Sequence, residues 1–423
     1  MKPSYYNFIY DYSEDATKHV FYNARTNALA LVDEPQYTAF VDFEHDNSKP
    51  LDEEFEKNLR YGGYVVDDDV DELDEIKFRM YSGRFSTKFL GLTIAPTSDC
   101  NFRCAYCYEK DSIKYPIMSK STQEKVIDLV KSKANALETF FVTWYGGEPL
   151  LAIDSVDNLS KNFLEICNEN NIFYSAGMIT NGYLLTRHVL EKLNSLKVNS
   201  LQITLDGSRE QHNKRRPLHN GMGTFDTIIE NLKEAQNLFE GEIIIRVNVD
   251  KTNVHDADNV MDILFQHGLS NKVVPSLGKV VNSNNCYNAS LCFDTPEFLS
   301  IDSNFRAKYG LPKLYPLLKR NFCGADALNS FVINADGLLY KCWNDIGISE
   351  RSVGNIIEDT ICDKMFHNYL LYDPTEDSVC RACKYLPVCM GGCPNRRLLS
   401  QDERCEGVKY VIKNYILSLS KEI

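Results

Sequence analysis

Between residues 89 and 281, short apolar runs alternate with amphipathic segments, and this alternation limits the possible folds more than any other feature of the chain. The apolar runs are Phe89–Ala95, Phe140–Tyr145, Tyr174–Ile179, Leu201–Leu205, Ile243–Val249 and Val273–Val281. The amphipathic segments are Thr122–Ala134, Val156–Asn168, Arg187–Leu196, Phe225–Leu238 and Ala257–His267. Strands that alternate with helices pair in parallel through right-handed crossovers. Six strands are too few for a closed eight-stranded barrel, so we expect an α/β fold with a partial (β/α)6, TIM-like barrel and a reactive site at the carboxyl ends of its strands.

Charge and composition exclude several classes of protein. The 423 residues include 46 Lys+Arg and 59 Asp+Glu, which gives a formal net charge of −13. Sequence-independent binding to nucleic acid needs a surplus of basic residues, so we expect no nucleic-acid partner. We find no run of about 18 apolar residues that would span a membrane, and the first residues lack the apolar core of a signal peptide. We therefore expect a cytoplasmic chain with no membrane partner.

The 14 cysteines are unevenly distributed. None precedes residue 100, three lie between Cys100 and Cys107, and eight lie between Cys323 and Cys405. A disulfide scaffold would be shorter and secreted. In a reducing compartment, clustered thiols more often bind metal or take part in chemistry.

The first cysteine group directly follows the first barrel strand. Cys100, Cys104 and Cys107 have the spacing C-x3-C-x2-C. Three thiolates in one loop can bind three irons of a cubic 4Fe-4S cluster and leave the fourth iron open to a ligand. A zinc knuckle is the alternative, but it needs a fourth ligand nearby, and the flanking histidines, His45 and His188, are far away in sequence.

These residues resemble the motif of the radical S-adenosylmethionine enzymes. Members of that family have an aromatic residue before the third cysteine, here Tyr106, and a Gly-Gly-Glu-Pro segment after the second strand, here Gly146 to Pro149. The resemblance implies that S-adenosylmethionine chelates the open iron. It also implies that the backbone of Gly146 and Gly147 meets the methionyl amino group, with Glu148 nearby. Glycine lets the main chain approach a ligand closely.

Polar residues also end the later strands. Thr180 and Asn181 follow the third strand, where they would bind ribose hydroxyls, and Asp206 follows the fourth. Similar enzymes have Asp-Gly, then His, then Arg-Pro at this place, so Arg216 is the candidate for the cofactor carboxylate, with Arg215 as the alternative. Two further candidates, Arg246 and Asn248, lie at the end of the fifth strand.

The C-terminal cysteines form a second pattern around one glycine. In chain order the pattern is Cys323, Gly337, Cys342, Cys380, Cys383, Cys389, Cys393 and Cys405. It resembles the SPASM domain, an extension with two auxiliary clusters in radical enzymes that modify peptides; a zinc ribbon is the alternative. The resemblance implies that Cys323, Cys342 and Cys393 bind the nearer auxiliary cluster. It assigns Cys380, Cys383, Cys389 and Cys405 to the outer one.

Some relatives supply a fourth ligand to the nearer cluster from a cysteine shortly after the first. Residues 324–329 of this chain contain no cysteine. This suggests an open iron that a substrate thiolate can occupy, unless Cys286, Cys292 or Cys362 fills the gap. Cys167 lies in a predicted helix and is interpreted as a small core residue.

The region before the barrel indicates the substrate. Residues 1–88 read as strands followed by helices, similar to the winged-helix segment with which peptide maturases capture a leader peptide as an added strand. We predict four domains: a leader-peptide recognition domain (1–88), the radical barrel (89–283), a bridging region (284–322) and the SPASM domain (323–423). Sulfatase maturases resemble the rest of the chain but use an Asp directly after the second auxiliary cysteine, where this chain has Trp343, with Asp345 two residues further on.

The combined prediction is a radical enzyme that installs a sulfur-to-carbon thioether in a cysteine-containing precursor peptide. It would use S-adenosylmethionine, three 4Fe-4S clusters and an electron donor such as flavodoxin or ferredoxin. The alternatives are a carbon–carbon crosslinking maturase, an anaerobic sulfatase maturase, and a zinc-containing peptide-binding protein without catalysis.

Overall fold

The computed structural model describes residues 1–110, 116–269, 272–312, 317–361, 364–399, 405 and 407–422. The strands in these ranges are β1 (Lys2–Pro3), β2 (Asn7–Asp11), β3 (Lys18–Asn23), β4 (Ala28–Asp33), β5 (Val65–Val66), β6 (Phe89–Ile94), β7 (Thr139–Trp144), β8 (Phe173–Thr180), β9 (Val198–Thr204), β10 (Glu242–Val249), β11 (Val273–Lys279), β12 (Ser330–Ile333), β13 (Leu338–Tyr340), β14 (Gly354–Asn355) and β15 (Thr360–Ile361).

The α-helices of the same ranges are α1 (Glu34–His45), α2 (Glu53–Gly62), α3 (Glu72–Arg84), α4 (Lys120–Lys133), α5 (Ile153–Glu169), α6 (Arg187–Ser195), α7 (Arg209–Arg215), α8 (Phe225–Leu238), α9 (Ala257–Gln266), α10 (Thr295–Lys308), α11 (Lys364–Leu370), α12 (Ser378–Arg381), α13 (Leu386–Cys389), α14 (Pro394–Leu399) and α15 (Val408–Leu419). No helix in the described part of the chain is long and apolar enough to cross a membrane.

The chain divides into two compact units. The first unit contains residues 1–85, 295–327 and 371–423, and the second contains residues 86–294 and 328–370. Each unit is therefore assembled from segments that are distant in sequence. The four-domain division remains a prediction.

The second unit contains the predicted barrel, and the predicted fold class is confirmed. Its sheet has the order β11-β10-β9-β8-β7-β6-β12-β13-β14-β15, and all neighbours from β11 to β12 are parallel. The six predicted strands are β6 to β11, and the five predicted helices are α4, α5, α6, α8 and α9. The sequence prediction missed the extension by β12 to β15, because strands of two to four residues carry no clear periodicity.

The local sequence explains why these elements form. Along β10, fully buried residues alternate with partly buried ones, as expected for a strand with one face against helices and the other toward the barrel interior. Helix α4 begins at Ser119, whose side chain accepts a hydrogen bond from the Thr122 amide. These caps and patterns fix where each strand ends, and therefore where the polar residues of the site project.

The first unit contains the sheet β2-β3-β4, which is antiparallel, and a short antiparallel pair of β1 with β5. The order of strands followed by helices α1 to α3 agrees with the prediction for residues 1–88. The core of this unit also includes residues of the C-terminal helices, among them Leu386, Ile412 and Ile416, packed with Tyr6 and Val20.

Candidate active site

The first cysteine group lies in the loop after β6. The Cys107 amide donates to the Cys104 carbonyl at 3.2 Å, which closes a tight turn. The Ala105 amide donates to the Arg215 carbonyl at 2.9 Å, and the Arg103 amide donates to the Pro217 carbonyl at 2.9 Å. The cysteine loop is thus joined by backbone hydrogen bonds to the segment that carries both candidate arginines.

The barrel has a cavity of about 690 Å³ at the carboxyl ends of its strands. The predicted site residues that line it are Cys100, Cys104, Cys107, Tyr106, Gly146, Gly147, Thr180, Asn181, Arg216, Arg246 and Asn248. Two others, Glu148 and Asp206, are completely buried and lie behind this wall. The cavity therefore brings together residues from the ends of several strands, as expected for a barrel active site.

Gly146 and Gly147 lie directly against the cysteine loop. Gly146 has a φ of +113°, and a Cβ atom there would come within 2.6 Å of the Thr97 carbonyl oxygen. A Cβ atom at Gly147 would come within 2.1 Å of the Asp99 carbonyl oxygen. These contacts leave no room for a side chain, so the segment presents bare main chain to the cavity beside Cys100.

Glu148 organises the strand ends instead of facing the cavity. Its carboxylate accepts hydrogen bonds from Thr180 Oγ1 at 2.7 Å and from the Asn181 amide at 2.8 Å. Burial raises the pKa of Glu148, and the hydrogen bonds from Asn181 and Thr180 oppose that shift. This carboxylate thus fixes the positions of the two residues predicted to meet the ribose.

We expect Glu148→Gln to destabilise the fold by about 1–3 kcal/mol. The glutamine NH2 group would replace one carboxylate oxygen, so one of the present donors would face another donor. Thermal unfolding should show a lower midpoint. The control is Glu138→Gln, which removes an exposed carboxylate that pairs with Lys88 and should change stability very little. Equal midpoints for both variants would contradict this role for Glu148.

Tyr106 connects Asp206 with Arg216. The tyrosine hydroxyl donates to Asp206 and accepts a hydrogen bond from Arg216 Nη1 at 2.7 Å. It also accepts a hydrogen bond from Asn248 Nδ2 at 3.1 Å. Four of the predicted site residues therefore share one hydrogen-bond network, and Asp206 serves as its buried anchor.

The two adjacent arginines have different environments. Arg215 Nη1 lies 2.8 Å from Asp250 Oδ2, and Arg215 Nε lies 3.5 Å from Asp206 Oδ2. Arg216 lines the cavity, and its buried Nε has no hydrogen-bond partner among the described residues. A buried, unsatisfied guanidinium donor at a cavity wall fits an anionic ligand. The structure thus favours Arg216 over Arg215 as the residue for the cofactor carboxylate.

His212 holds the segment that carries Arg216. Its Nδ1 accepts a hydrogen bond from the Asp206 amide at 3.2 Å, so the proton lies on Nε2, which is 3.1 Å from Thr224 Oγ1. The threonine hydroxyl in turn donates to the Arg216 carbonyl at 2.8 Å. Burial lowers the pKa of His212 well below its usual value. This neutral histidine explains why the motif has a histidine between its aspartate and its arginine.

The three thiols fit an iron–sulfur cluster. Burial raises the pKa of Cys100 and Cys104, and it raises the pKa of Cys107 to about 12. Without a metal, these thiols would stay protonated in the fold. Iron coordination would supply the positive charge that stabilises buried thiolates.

Sequence reasoning did not identify the aromatic part of the cavity wall. The hydroxyl groups of Tyr108 and Tyr145 contact each other. Tyr145 stacks on Trp343 with ring centroids 5.7 Å apart and an angle of 23° between the rings. The sequence feature that could have indicated this wall is the position of Tyr145, directly before Gly146.

The four cysteines predicted for the outer auxiliary cluster lie together in the first unit. Cys380, Cys383, Cys389 and Cys405 line one cavity of about 50 Å³, together with apolar residues that include Val379 and Leu386. Asp377 caps α12 and accepts a hydrogen bond from the Cys380 amide at 3.0 Å. A cavity lined by four thiols suits a cubic cluster.

The cysteines predicted for the nearer auxiliary cluster belong to both units. Cys323 and Cys393 are in the first unit and Cys342 is in the second. Desolvation raises the pKa of the Cys323 thiol to about 12, and Cys393, Asp326 and Arg397 act on it electrostatically. Within the first unit, Cys323 and Cys393 therefore lie near enough to interact electrostatically.

The other cysteines have separate environments. Cys167 is buried in α5, as the sequence suggested, and the Cys286 thiol lies 3.8 Å from the Tyr106 carbonyl oxygen. The Cys292 thiol lies 3.7 Å from the Asn288 carbonyl oxygen. Cys362, the third candidate for the missing ligand, lies outside the described residues. None of the thirteen described cysteines is in a disulfide.

Among the described residues, no group of three His, Cys, Asp or Glu side chains converges closely enough to hold one metal ion. In a cubic cluster each cysteine binds a different iron. The ligands of such a cluster therefore need not converge on a single point.

Comparison with known families agrees with this geometry. Residues 94–264 match the model of the radical SAM superfamily. The matched segment contains the cysteine loop, the Gly146–Gly147 segment and the strand ends that line the cavity. Residues 94–264 therefore form a radical SAM domain, and the chain is an enzyme. Such a domain implies S-adenosylmethionine and one 4Fe-4S cluster as cofactors.

Several curated relatives extend beyond that segment. The cysteine-type anaerobic sulfatase-maturating enzyme of Clostridium novyi is 27% identical over 72% of this chain and 88% of its own length. The mycofactocin maturase MftC of Mycolicibacterium smegmatis is 25% identical over 71% of this chain and 77% of its own length. The sporulation killing factor maturation protein SkfB of Bacillus subtilis is 24% identical over 65% of this chain and 64% of its own length.

Two solved structures have the same fold. The structure of native anSMEcpe with bound AdoMet aligns with a TM-score of 0.62 and 21% identity over 79% of this chain and all of that chain. The structure of SuiB from Streptococcus suis, bound to the precursor peptide SuiA, aligns with a TM-score of 0.55 and 13% identity over 96% of this chain and 98% of that chain.

Proposed function

We propose that this enzyme matures a ribosomally made precursor peptide by joining a cysteine sulfur to a carbon of another residue. Cys100, Cys104 and Cys107 would hold the cluster that binds S-adenosylmethionine. The C-terminal cysteines would hold two auxiliary 4Fe-4S clusters in the sets implied by the SPASM resemblance. S-adenosylmethionine, when bound, supplies a 5′-deoxyadenosyl radical that takes a hydrogen atom from carbon.

The similarity to named maturation proteins supports a peptide substrate. MftC and SkfB are described as a maturase and a maturation protein, and SuiB has been solved with a precursor peptide. The sheet β2-β3-β4 in the first unit is suited to receive a leader peptide as an added strand. The Asn7 carbonyl oxygen on β2 accepts a hydrogen bond from Lys384, so we assign the leader to the edge of β4.

One observation carries the thioether in this proposal: the segment after Cys323 offers no thiol. Residues Gly324–Asp326 form a 3-10 turn, and the Asp326 carboxylate lies 2.6 Å from Arg397 Nη2. A nearer cluster held by three cysteines leaves one iron open for a substrate thiolate. Iron binding would deprotonate that thiol and fix the position of its sulfur.

Sulfatase maturation is the second candidate, because a sulfatase-maturating enzyme is among the relatives that span most of the chain. The site argues against it. Trp343 occupies the position of the expected base, and Asp345 is almost completely buried. Asp345 accepts hydrogen bonds from Tyr369 Oη at 2.8 Å and from Arg351 at 3.1 Å. A carboxylate held in this way is poorly placed to accept a substrate proton.

Atoms and electrons balance in the proposed reaction, and the peptide needs no other reaction partner. A carbon–hydrogen bond and a sulfur–hydrogen bond break, and one carbon–sulfur bond forms. One hydrogen atom would go to the 5′-deoxyadenosyl group, one proton would leave the thiol, and an auxiliary cluster would take one electron. A separate low-potential donor, such as flavodoxin or ferredoxin, supplies the electron that cleaves S-adenosylmethionine.

The test is incubation of the anaerobically reconstituted enzyme with S-adenosylmethionine, dithionite and candidate cysteine-containing precursor peptides from the genome that encodes it. We expect the peptide to lose two hydrogens and to have one thiol that iodoacetamide no longer alkylates. Loss of two hydrogens with all thiols still alkylated would replace the thioether by a carbon–carbon crosslink. Conversion of a sulfatase peptide to formylglycine would support the second candidate, and a preparation with zinc and no iron would support a binding protein.

A further inference from the structure

A buried group of charges lies beside Cys323 and Cys393 in the first unit. Arg84 and Asp326 are completely buried, and the side chain of Arg397 is only 5% exposed. The Asp326 amide donates to the Cys323 carbonyl at 3.2 Å, and the Arg397 amide donates to the Cys393 carbonyl at 3.0 Å. Both charged residues therefore stand on the segments that carry the two cysteines.

The group contains more positive than negative charge. Asp326 faces two guanidinium groups, and both arginines lower its pKa against the larger effect of burial, which raises it. The next carboxylate, Asp373, is engaged by Lys77 and accepts a hydrogen bond from Tyr81. A buried cation is costly unless an anion compensates it. Among the described residues, the buried carboxylate of Asp326 is thus shared by Arg84 and Arg397.

Arg397 also has unused donors. Its Nη2 pairs with Asp326 Oδ1 at 2.6 Å, but its Nε and Nη1 are buried without hydrogen-bond partners among the described residues. Its guanidinium carbon lies 3.9 Å from the ring centroid of Tyr372, which fixes the plane of the group. The Tyr372 hydroxyl lies 3.8 Å from Cys380 Sγ. This network therefore contacts segments that carry cysteines of both predicted auxiliary sets.

A cubic cluster matches both features. Its 2+ core with three or more cysteinates carries net negative charge, and its sulfurs accept hydrogen bonds. Nearby positive charge and N–H···S hydrogen bonds favour the reduced form, which is more negative, and so raise the reduction potential. A nearby carboxylate has the opposite effect.

We propose that Arg397 is a positioning residue that raises the reduction potential of the nearer auxiliary cluster, and that Asp326 limits this effect. The cluster is thereby suited to accept the single electron that the peptide loses as its carbon–sulfur bond forms. This inference rests on the proposed function for that electron, but the potential can be measured without any peptide.

The experiment compares variants of the reconstituted full-length enzyme by redox titration monitored with electron paramagnetic resonance. The Cys104→Ala background removes the signal of the first cluster. We expect Arg397→Met to lower the midpoint potential of the nearer cluster and Asp326→Asn to raise it. Arg397→Lys should restore most of the loss, because it keeps the charge. Arg396→Met is the control, since it removes a neighbouring arginine from the same helix.

The opposite signs make the test specific, because both substitutions break the same ion pair. A purely structural role would shift both potentials in the same direction or change only the thermal stability, and either result would overturn the proposal. If Arg397→Met fails to retain the cluster, Asp326→Asn and Arg397→Lys still decide the sign. If the enzyme without these substitutions shows no paramagnetic resonance signal from an auxiliary cluster, both this proposal and the assignment of auxiliary clusters would be rejected. If the variants shift the midpoint potential as expected but the enzyme forms no thioether, only the proposed function would be rejected.

Discussion

Replacing Arg215 by methionine should destabilise the second unit by about 3–5 kcal/mol, because it leaves Asp206 and Asp250 buried without their cation. Burial lowers the pKa of Arg215, but Asp206 and the hydrogen bond to Asp250 outweigh it and raise that pKa. The protein therefore strongly favours the charged form at this position. Thermal unfolding should show a midpoint that is lower by roughly 10 °C.

Replacing the adjacent Arg216 by methionine should have a different effect. Arg216 lines the cavity, so the loss should fall on S-adenosylmethionine, with binding weaker by about 10- to 100-fold. Equilibrium dialysis with the reconstituted enzyme measures this directly. Lys214→Met removes an exposed cation of the same helix and should change neither quantity. A normal affinity in Arg216→Met would reassign the cofactor carboxylate.

The difference between these two neighbours shows what the sequence could not predict. The motif identified the pair but left both arginines as candidates for the carboxylate. Helix α7 ends at Arg215, and Arg216 is its C-cap with φ −133° and ψ 55°. The change of backbone conformation turns consecutive side chains toward different surroundings. A helix end located to within one residue is beyond what sequence patterns provide.

The barrel itself was predictable, because each strand is an apolar run bounded by polar residues. The observed strands β6 to β11 begin within three residues of the predicted runs. The motif cysteines and glycines could be identified from the sequence, since their spacing reflects contacts within single loops, and their role in binding the cofactor stays a prediction. Glu148 and Asp206 were placed near the cofactor, yet the structure uses both carboxylates to accept hydrogen bonds behind the cavity wall. Buried carboxylates need such donors, and sequence does not show where the donors are.

Long-range groupings left no signal in the sequence. Asp326 and Arg397 form their ion pair across 71 positions. Phe8 packs against Tyr385 with ring centroids 4.9 Å apart, so the N-terminal sheet shares its core with C-terminal residues. Only folding brings these partners together. The charge network beside Cys323 could therefore be recognised only in the structure.

Replacing Cys104 by alanine should have the largest effect of all on activity. We propose that Cys100, Cys104 and Cys107 hold the first cluster, so losing one of them should abolish reductive cleavage of S-adenosylmethionine, a decrease of at least about 1,000-fold from the loss of the cofactor that carries this chemistry. Iron should fall from about twelve to about eight per chain if each of three clusters has four irons. The measurements are 5′-deoxyadenosine formation with dithionite and iron analysis of the same samples.

Two cysteine controls separate the roles of the clusters. Cys167→Ala removes a buried thiol of α5 in the same unit, and it should retain about twelve irons and full cleavage. Cys389→Ala alters the thiol-lined cavity of the first unit and should also leave about eight irons. Because its cysteine loop after β6 is intact, it should still cleave S-adenosylmethionine in the absence of peptide. Cleavage that survives in Cys104→Ala would contradict the assignment of that loop, whatever the iron content, since the chemistry requires the iron that these three thiols leave open.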